Sequence, residues 1–142
     1  MSQTFTKLSL SHNVSQELVK HAFKKAEDIG LNIAVTVVDE SGNLKMFSRM
    51  DRAPLVATDV SRKKAVTAIG FGIPTGDAWL EFIGSDPILA EGAKSIEDFS
   101  MFGGGAPIVV DNQIVGAIGI SGGHYKQDEE CLHYALEAVL KS

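Results

Sequence analysis

Apolar residues recur at helical spacing near both ends of the chain. Residues 11–30 place them on one face, and Ser11 or Asn13 could cap this helix while Gly30 is suited to end it. Residues 126–140 repeat the pattern and predict a second amphipathic helix. The chain between them must therefore supply the surface that these helices cover.

Two predicted β-hairpins lie between these helices. Residues 32–38 are apolar on both faces, which is typical of a central strand covered on both sides, and residues 44–50 return after a polar turn. Residues 107–110 and 114–120 form a similar pair. Hairpins imply antiparallel pairing, and helices on an antiparallel sheet make an α+β domain.

Residues 54–70 predict a third helix, with Pro54 in its first turn. A stripe of small residues on this helix would let another element approach closely. Leu55, Val66 and Ile69 form a second apolar strip, which predicts burial on two sides, the second in a subunit interface. The small stripe consists of Ala57, Ser61, Ala65 and Ala68.

Residues 72–100 are the least regular part of the chain and are expected to form a lid or binding loop. Thr75 is suited to cap a short helix there. Four aromatic side chains cluster around this segment, where they either line a flat apolar pocket or belong to the core. They are Trp79, Phe82, Phe99 and Phe102.

The composition of the chain limits the cellular compartment and the binding partners that we expect. The 142 residues suit one domain over residues 1–142, and the net charge of −5 argues against a nucleic-acid or anionic-membrane partner. A single cysteine, Cys131, favours a reducing compartment. With no apparent signal peptide and no membrane-length apolar run, we expect a cytoplasmic protein without a membrane partner.

Six short motifs, in this order and spacing, resemble the GlcG/HbpS-like haem-binding family, which also includes the PduO C-terminal domain-like proteins. The motifs are Val37-Val38-Asp39 with Gly42, Arg49-Met50-Asp51 with Ala53-Pro54, Lys64-Ala65 with Thr67-Ala68, Gly104-Gly105 with Pro107-Ile108, Val115-Gly116-Ala117-Ile118-Gly119, and Ser121-Gly122-Gly123 with Asp128-Glu129. The resemblance implies a profilin-like, mostly antiparallel sheet of about five strands flanked by helices, assembled into homo-oligomers.

Members of that family include secreted haem sensors, a domain of a corrinoid adenosyltransferase and proteins encoded beside glycolate, glycerol or diol pathways. The resemblance therefore implies a small-ligand-binding protein, with haem or another tetrapyrrole as the candidate cofactor and an accessory role in such metabolism. A first-helix histidine, His21, is the candidate haem ligand by similarity to the adenosyltransferase branch. The alternative is an ordinary half-exposed histidine.

The strand-to-helix loop is the best candidate for a ligand site from the residues themselves. Glycines let a backbone approach a ligand, and the first N–H groups of a helix can hold a carboxylate or a haem propionate. Alternatively this is a tight turn, with Asp128 favouring the helix dipole and competing with any bound anion. The assigned residues are Gly119, Ser121, Gly122, Gly123 and His124, together with Gly104 and Gly105.

Lys64 is the second candidate, because a helical wheel places it among the small residues of the third helix. An inward lysine needs a partner or a ligand, so it could bind a substrate carboxylate. Alternatively its side chain passes the alanines to reach solvent. No metal-ligand spacing or nucleophilic triad is recognisable, so the catalytic residues are unknown and three functions stay open: haem binding, an enzyme or sensor for a small carboxylate or aldehyde, and a structural accessory.

Overall fold

The first helix, α1 (His12–Asp28), begins where the sequence predicts. In this computed structural model, which describes residues 1–140, the Ser11 hydroxyl accepts a hydrogen bond from the Val14 N–H at 3.2 Å. Beyond the helix, Gly30 adopts a left-handed conformation with φ of 72°. Ser11 is therefore the cap, and Gly30 supplies the turn that leads to the sheet.

The sheet has four strands within the described residues, not the five expected. They are β1 (Ala34–Asp39), β2 (Leu44–Arg49), β3 (Gly105–Val110) and β4 (Gln113–Ser121), in the order β2-β1-β4-β3. All neighbouring pairs are antiparallel, as the hairpins predict. The α+β class is thus confirmed and the strand number is corrected.

Helices cover both faces of this sheet. α1 and α5 (Tyr125–Leu140) pack on one face around Val35 and Val37, and α2 (Ala57–Phe71) packs on the other against Val38. The hydroxyl of Thr36 lies 2.9 Å from the Ser61 hydroxyl of α2. β1 is therefore the doubly covered central strand that its apolar pattern predicts.

The small stripe of α2 allows the helix to lie unusually close to the sheet. A side chain on Gly119 would overlap the Ser61 carbonyl oxygen, and one on Gly105 would lie 2.6 Å from the Lys64 carbonyl oxygen. Pro54 is not in the first helical turn: its carbonyl accepts from the Ala57 N–H in a turn just before α2. Close helix–sheet contact thus explains both the small residues and two of the glycines.

The second apolar strip of α2 is only partly buried. Val66 and Ile69 are half-buried, whereas the Leu55 side chain is 92% exposed. Burial of this side against another subunit stays a prediction.

The irregular segment forms two short helices, α3 (Asp77–Ile83) and α4 (Pro87–Ala93), and adds no strand to the sheet. Trp79 is buried at its centre, with Phe71, Phe82 and Phe99 edge-on at 4.8, 5.4 and 5.0 Å between ring centroids. Of the four predicted aromatic residues, Trp79 is therefore buried, whereas Phe82 is 56% exposed and Phe102 is 62% exposed at the wall of a surface depression. None of the helices in residues 1–140 is both long and apolar enough to cross a bilayer.

Thr75 does not cap α3, contrary to the sequence-based expectation. Gly76 is the capping residue, and the Thr75 hydroxyl instead accepts from the Gly105 N–H at 2.8 Å. The backbone N–H of Thr75 also donates to the Gly105 carbonyl at 2.9 Å, and this second hydrogen bond keeps the hydroxyl beside Gly105 instead of at the start of α3. Thr75 therefore fixes the start of the segment to the start of β3.

Candidate functional site

A buried ion pair joins the two helical layers at the end of the sheet. Lys64 of α2 and Asp128 of α5 are 1% and 2% exposed. The Lys64 Nζ donates to Asp128 Oδ2 at 3.0 Å and to the Ile120 carbonyl oxygen at 2.7 Å. Lys64 thus points inward as the helical wheel predicts, and its carboxylate partner comes from the chain itself.

Burial shifts both members of the pair toward neutrality. Desolvation lowers the pKa of Lys64 and raises the pKa of Asp128, and their mutual attraction offsets only part of each shift. The other Asp128 oxygen, Oδ1, accepts from the Gly123 N–H at 3.0 Å. The burial of the pair therefore favours the neutral form of each group, while the contact between them favours the charged forms.

The backbone amides of the glycine loop are largely paired within the chain. Besides the Gly123 N–H on Asp128, the His124 N–H donates to Gln127 Oε1 and the Lys126 N–H donates to His124 Nδ1, both at 3.1 Å. An anion held here would have to displace these acceptors. Asp128 therefore competes for the loop, as its place in the first turn of α5 predicts.

The predicted glycines serve internal packing. A side chain on Gly104 would lie 2.7 Å from the Ile120 carbonyl oxygen and 3.0 Å from the Lys64 Nζ, so this glycine makes room for the lysine. A side chain on Gly122 would overlap the Asn32 carbonyl oxygen, and Gly119 and Gly105 face α2. Close approach of the backbone is confirmed, but the approaching groups belong to the protein.

A depression of about 360 Å³ opens beside the ion pair. It brings together Lys64, Ser121, Gly123 and His124 from the predicted set, but not Gly104, Gly105, Gly119, Gly122 or His21. The rest of its lining is mainly apolar, and of it only Phe102 was considered as a pocket residue from the sequence. These further residues are Val56, Val60, Phe102, Tyr125 and Asp128.

Stacked aromatic rings form one side of this depression. The His124 and Tyr125 rings lie 4.3 Å apart with an interplanar angle of 30°, and Phe102 lies 6.5 Å from Tyr125 at 26°. Phe102 is 62% exposed. Phe102 and Tyr125 also line a neighbouring depression of about 250 Å³ that includes Leu80 and Met101.

His21 lies outside both depressions. It is half-buried on α1, its Nδ1 lies 2.8 Å from the Glu17 carbonyl oxygen, and its ring centroid lies 6.4 Å from that of Tyr134 on α5. A carbonyl only accepts hydrogen bonds, so Nδ1 of a neutral His21 carries the proton and Nε2 keeps a lone pair. This is the arrangement in which histidine binds metals, with its second nitrogen bonded to an acceptor.

His124 has the opposite arrangement. Its Nδ1 accepts from the Lys126 N–H, so in the neutral ring Nε2 carries the proton. Ligation through Nε2 would require this helix-capping hydrogen bond to break. Of these two histidines, His21 is the one already prepared to bind a metal through Nε2.

Comparison with known proteins identifies the relatives of the chain. A family model described as haem degrading protein HbpS-like matches residues 10–137. Protein GlcG of Escherichia coli K12 is 29% identical over 116 residues, covering 82% of this chain and 84% of GlcG. These matches confirm the resemblance to the GlcG/HbpS-like family.

Two solved structures share the whole architecture. The Klebsiella pneumoniae protein ORFY superimposes with a TM-score of 0.92 at 26% identity, covering 100% of this chain and 98% of that one. A crystal structure of a PduOC:heme complex gives a TM-score of 0.86 at 27% identity, covering 93% and 96% of the respective chains.

Proposed function

This chain belongs to the HbpS-like family, and from that premise we propose that it binds haem with the Nε2 atom of His21 as the iron ligand. The observation that carries the proposal is the 2.8 Å contact between His21 Nδ1 and the Glu17 carbonyl oxygen, which leaves the lone pair on Nε2. Haem iron is commonly held by such a histidine. The similarity to the chain of the PduOC:heme complex supports the choice of cofactor.

The surroundings of His21 suit a haem that is shared between subunits. The flank between α1 and α5 offers the Tyr134 ring as apolar surface, with the Lys25 Nζ 5.7 Å from the centre of that ring. Lys25 pairs with Glu130 at 3.5 Å and would exchange this carboxylate for a propionate. One open flank covers a single face of a planar macrocycle. A second copy of the chain would cover the other face, consistent with the expected homo-oligomer.

Bound haem would supply an iron centre for redox or gas-ligand chemistry, and the protein would supply the His21 nitrogen that holds the iron and the surface that shields it from solvent. The proposal places this activity in the cytoplasm, in an accessory role to glycolate, glycerol or diol metabolism. Both follow from the sequence-based expectations above.

Hemin titration of the full chain tests the proposal. We expect the Soret band of hemin to shift until all binding sites are filled. In His21→Ala, the spectrum of a histidine-ligated haem should be lost. His124→Ala is the matched control, because it removes a histidine whose Nε2 carries the proton, and it should retain the wild-type spectrum. An unchanged spectrum and affinity in His21→Ala would refute the assignment of the ligand.

Size-exclusion chromatography with light scattering tests the shared arrangement. Wild-type protein should be oligomeric when loaded with hemin, and the ratio of haem to chain should be fixed. A haem-loaded monomer with the full Soret spectrum would contradict the second-subunit cover.

A further inference from the structure

We propose that the depression beside Lys64 and Asp128 is a second binding site, which takes a small uncharged compound with an apolar body and one carbonyl or hydroxyl oxygen. The site is separate from the proposed haem position, because His21 does not line it and lies instead beside Tyr134, nine residues further along α5 than Tyr125. The proposal of this second site can therefore be tested independently of haem binding.

The polar floor of the depression has hydrogen-bonding capacity left. A lysine ammonium has three donors, and within residues 1–140 the Lys64 Nζ has two acceptors, the Ile120 carbonyl and Asp128. Each Asp128 oxygen receives one hydrogen bond, from Lys64 or from Gly123, and a carboxylate oxygen can accept two. A ligand oxygen can accept from the lysine, and a hydroxyl can also donate to the carboxylate.

The charge of this floor selects against ions. Lys64 and Asp128 neutralise each other, so an added carboxylate would meet the buried Asp128 charge and an added ammonium would meet Lys64. In a poorly solvated site either ion loses hydration without gaining an unpaired counter-charge. The carboxylate substrate expected from the sequence is therefore replaced by a neutral one, because Asp128 already occupies the place of its carboxylate.

The walls of the depression suit an apolar body. Val56 and Val60 lie on the α2 side and Phe102 and Tyr125 on the other, around a volume of about 360 Å³. Ligand sites commonly measure about 300 to 1,000 Å³ and combine apolar walls with a few convergent polar groups. The volume is at the lower end of that range, so it fits a single ring or a short chain.

Amide chemical shifts of the full-length, ¹⁵N-labelled protein provide the test, with benzyl alcohol and acetophenone as neutral probes and benzoate and benzylamine as charged ones. We expect both neutral probes to shift the Gly123 and His124 amides in a saturable way. Because either ion loses hydration without gaining an unpaired counter-charge, we expect each charged probe to bind at least about tenfold more weakly. Benzoate or benzylamine binding as tightly as benzyl alcohol would overturn the neutral-ligand assignment.

Two tryptophan variants locate the binding. Val60→Trp fills the depression without removing either member of the ion pair, and it should abolish the benzyl alcohol shifts. Leu55→Trp is the matched control, because Leu55 is 92% exposed and does not line the depression, and it should bind as wild type does. Equal binding by both variants, or no saturable shift in the wild type, would refute the site.

Discussion

Removing one member of the Lys64–Asp128 pair should destabilise the protein far more than removing both. Lys64→Met keeps the apolar stem but leaves a buried carboxylate whose remaining hydrogen bond comes from the Gly123 N–H. Asp128→Asn leaves a buried ammonium bonded to the Ile120 carbonyl. Since both residues are almost fully buried, each single substitution should cost about 3 to 5 kcal/mol of unfolding free energy.

Urea unfolding of the wild type, the two single variants and the double variant closes the thermodynamic cycle. The double variant buries no uncompensated charge, so we expect it to be more stable than either single variant. With single costs of about 3 to 5 kcal/mol, that result corresponds to a coupling of at least roughly 3 kcal/mol, at the upper end for contacting residues. Single effects that add to within about 0.5 kcal/mol would show that the pair does not act as a unit and would refute the reasoning.

The pH dependence of the single variants should have opposite signs. In Lys64→Met, burial keeps the pKa of Asp128 above its unfolded value, so the folded state binds the proton more readily than the unfolded state. Stability therefore falls as pH rises from the unfolded pKa of Asp128 to its folded pKa. In Asp128→Asn, burial keeps the pKa of Lys64 below its unfolded value of about 10.5, so stability increases as pH rises toward that value. Equal slopes for the two variants would contradict the assignment of the buried charges.

Three further predictions concern other parts of the fold. Gly119→Ala should lower the unfolding free energy by about 1 to 3 kcal/mol because the methyl group overlaps the backbone of α2, whereas Gly92→Ala, with no atom within 4 Å of the added methyl, should be neutral or slightly stabilising in the same urea assay. Burial raises the pKa of the Cys131 thiol to about 11, so Ellman's reagent should leave it intact in the native protein at neutral pH and modify it in urea; rapid native labelling would show that the thiol is accessible. The hydrogen bond from the Ser41 hydroxyl helps to lower the pKa of Glu40 to about 2. The Glu40 carboxylate therefore stabilises the fold above pH 4.5, and this contribution is lost as pH falls toward 2. Between these pH values, the urea midpoint of Glu40→Gln should decline less than that of the wild type.

The periodicity of the sequence predicts most of the fold because it shows which faces of the helices and strands are buried. The doubly apolar β1 and the small stripe of α2 predict a central strand with a closely packed helix, and both are confirmed. The number of five strands came from the family resemblance and was wrong, since the two predicted hairpins account for all four strands of the described residues. The segment between α2 and β3 packs its short helices around Trp79. That packing depends on aromatic contacts between distant residues, to which a local pattern is insensitive.

The candidate site shows the same division between local and distant information. A helical wheel is enough to predict that Lys64 points inward. Its partner Asp128 is 64 residues away and was interpreted as a charge that favours a helix dipole and competes with a bound anion, not as a partner of the lysine. Glycine identity likewise predicts that something approaches the backbone, not what approaches it: near Gly104 it is the lysine Nζ, and near Gly119 it is α2. Because the loop amides and the ion pair largely satisfy one another, recognition must rely on the hydrogen-bonding capacity that they retain and on the exposed rings of Phe102, His124 and Tyr125. A ligand surface in this fold is therefore better sought among side chains at the openings between helices than at its most glycine-rich turns.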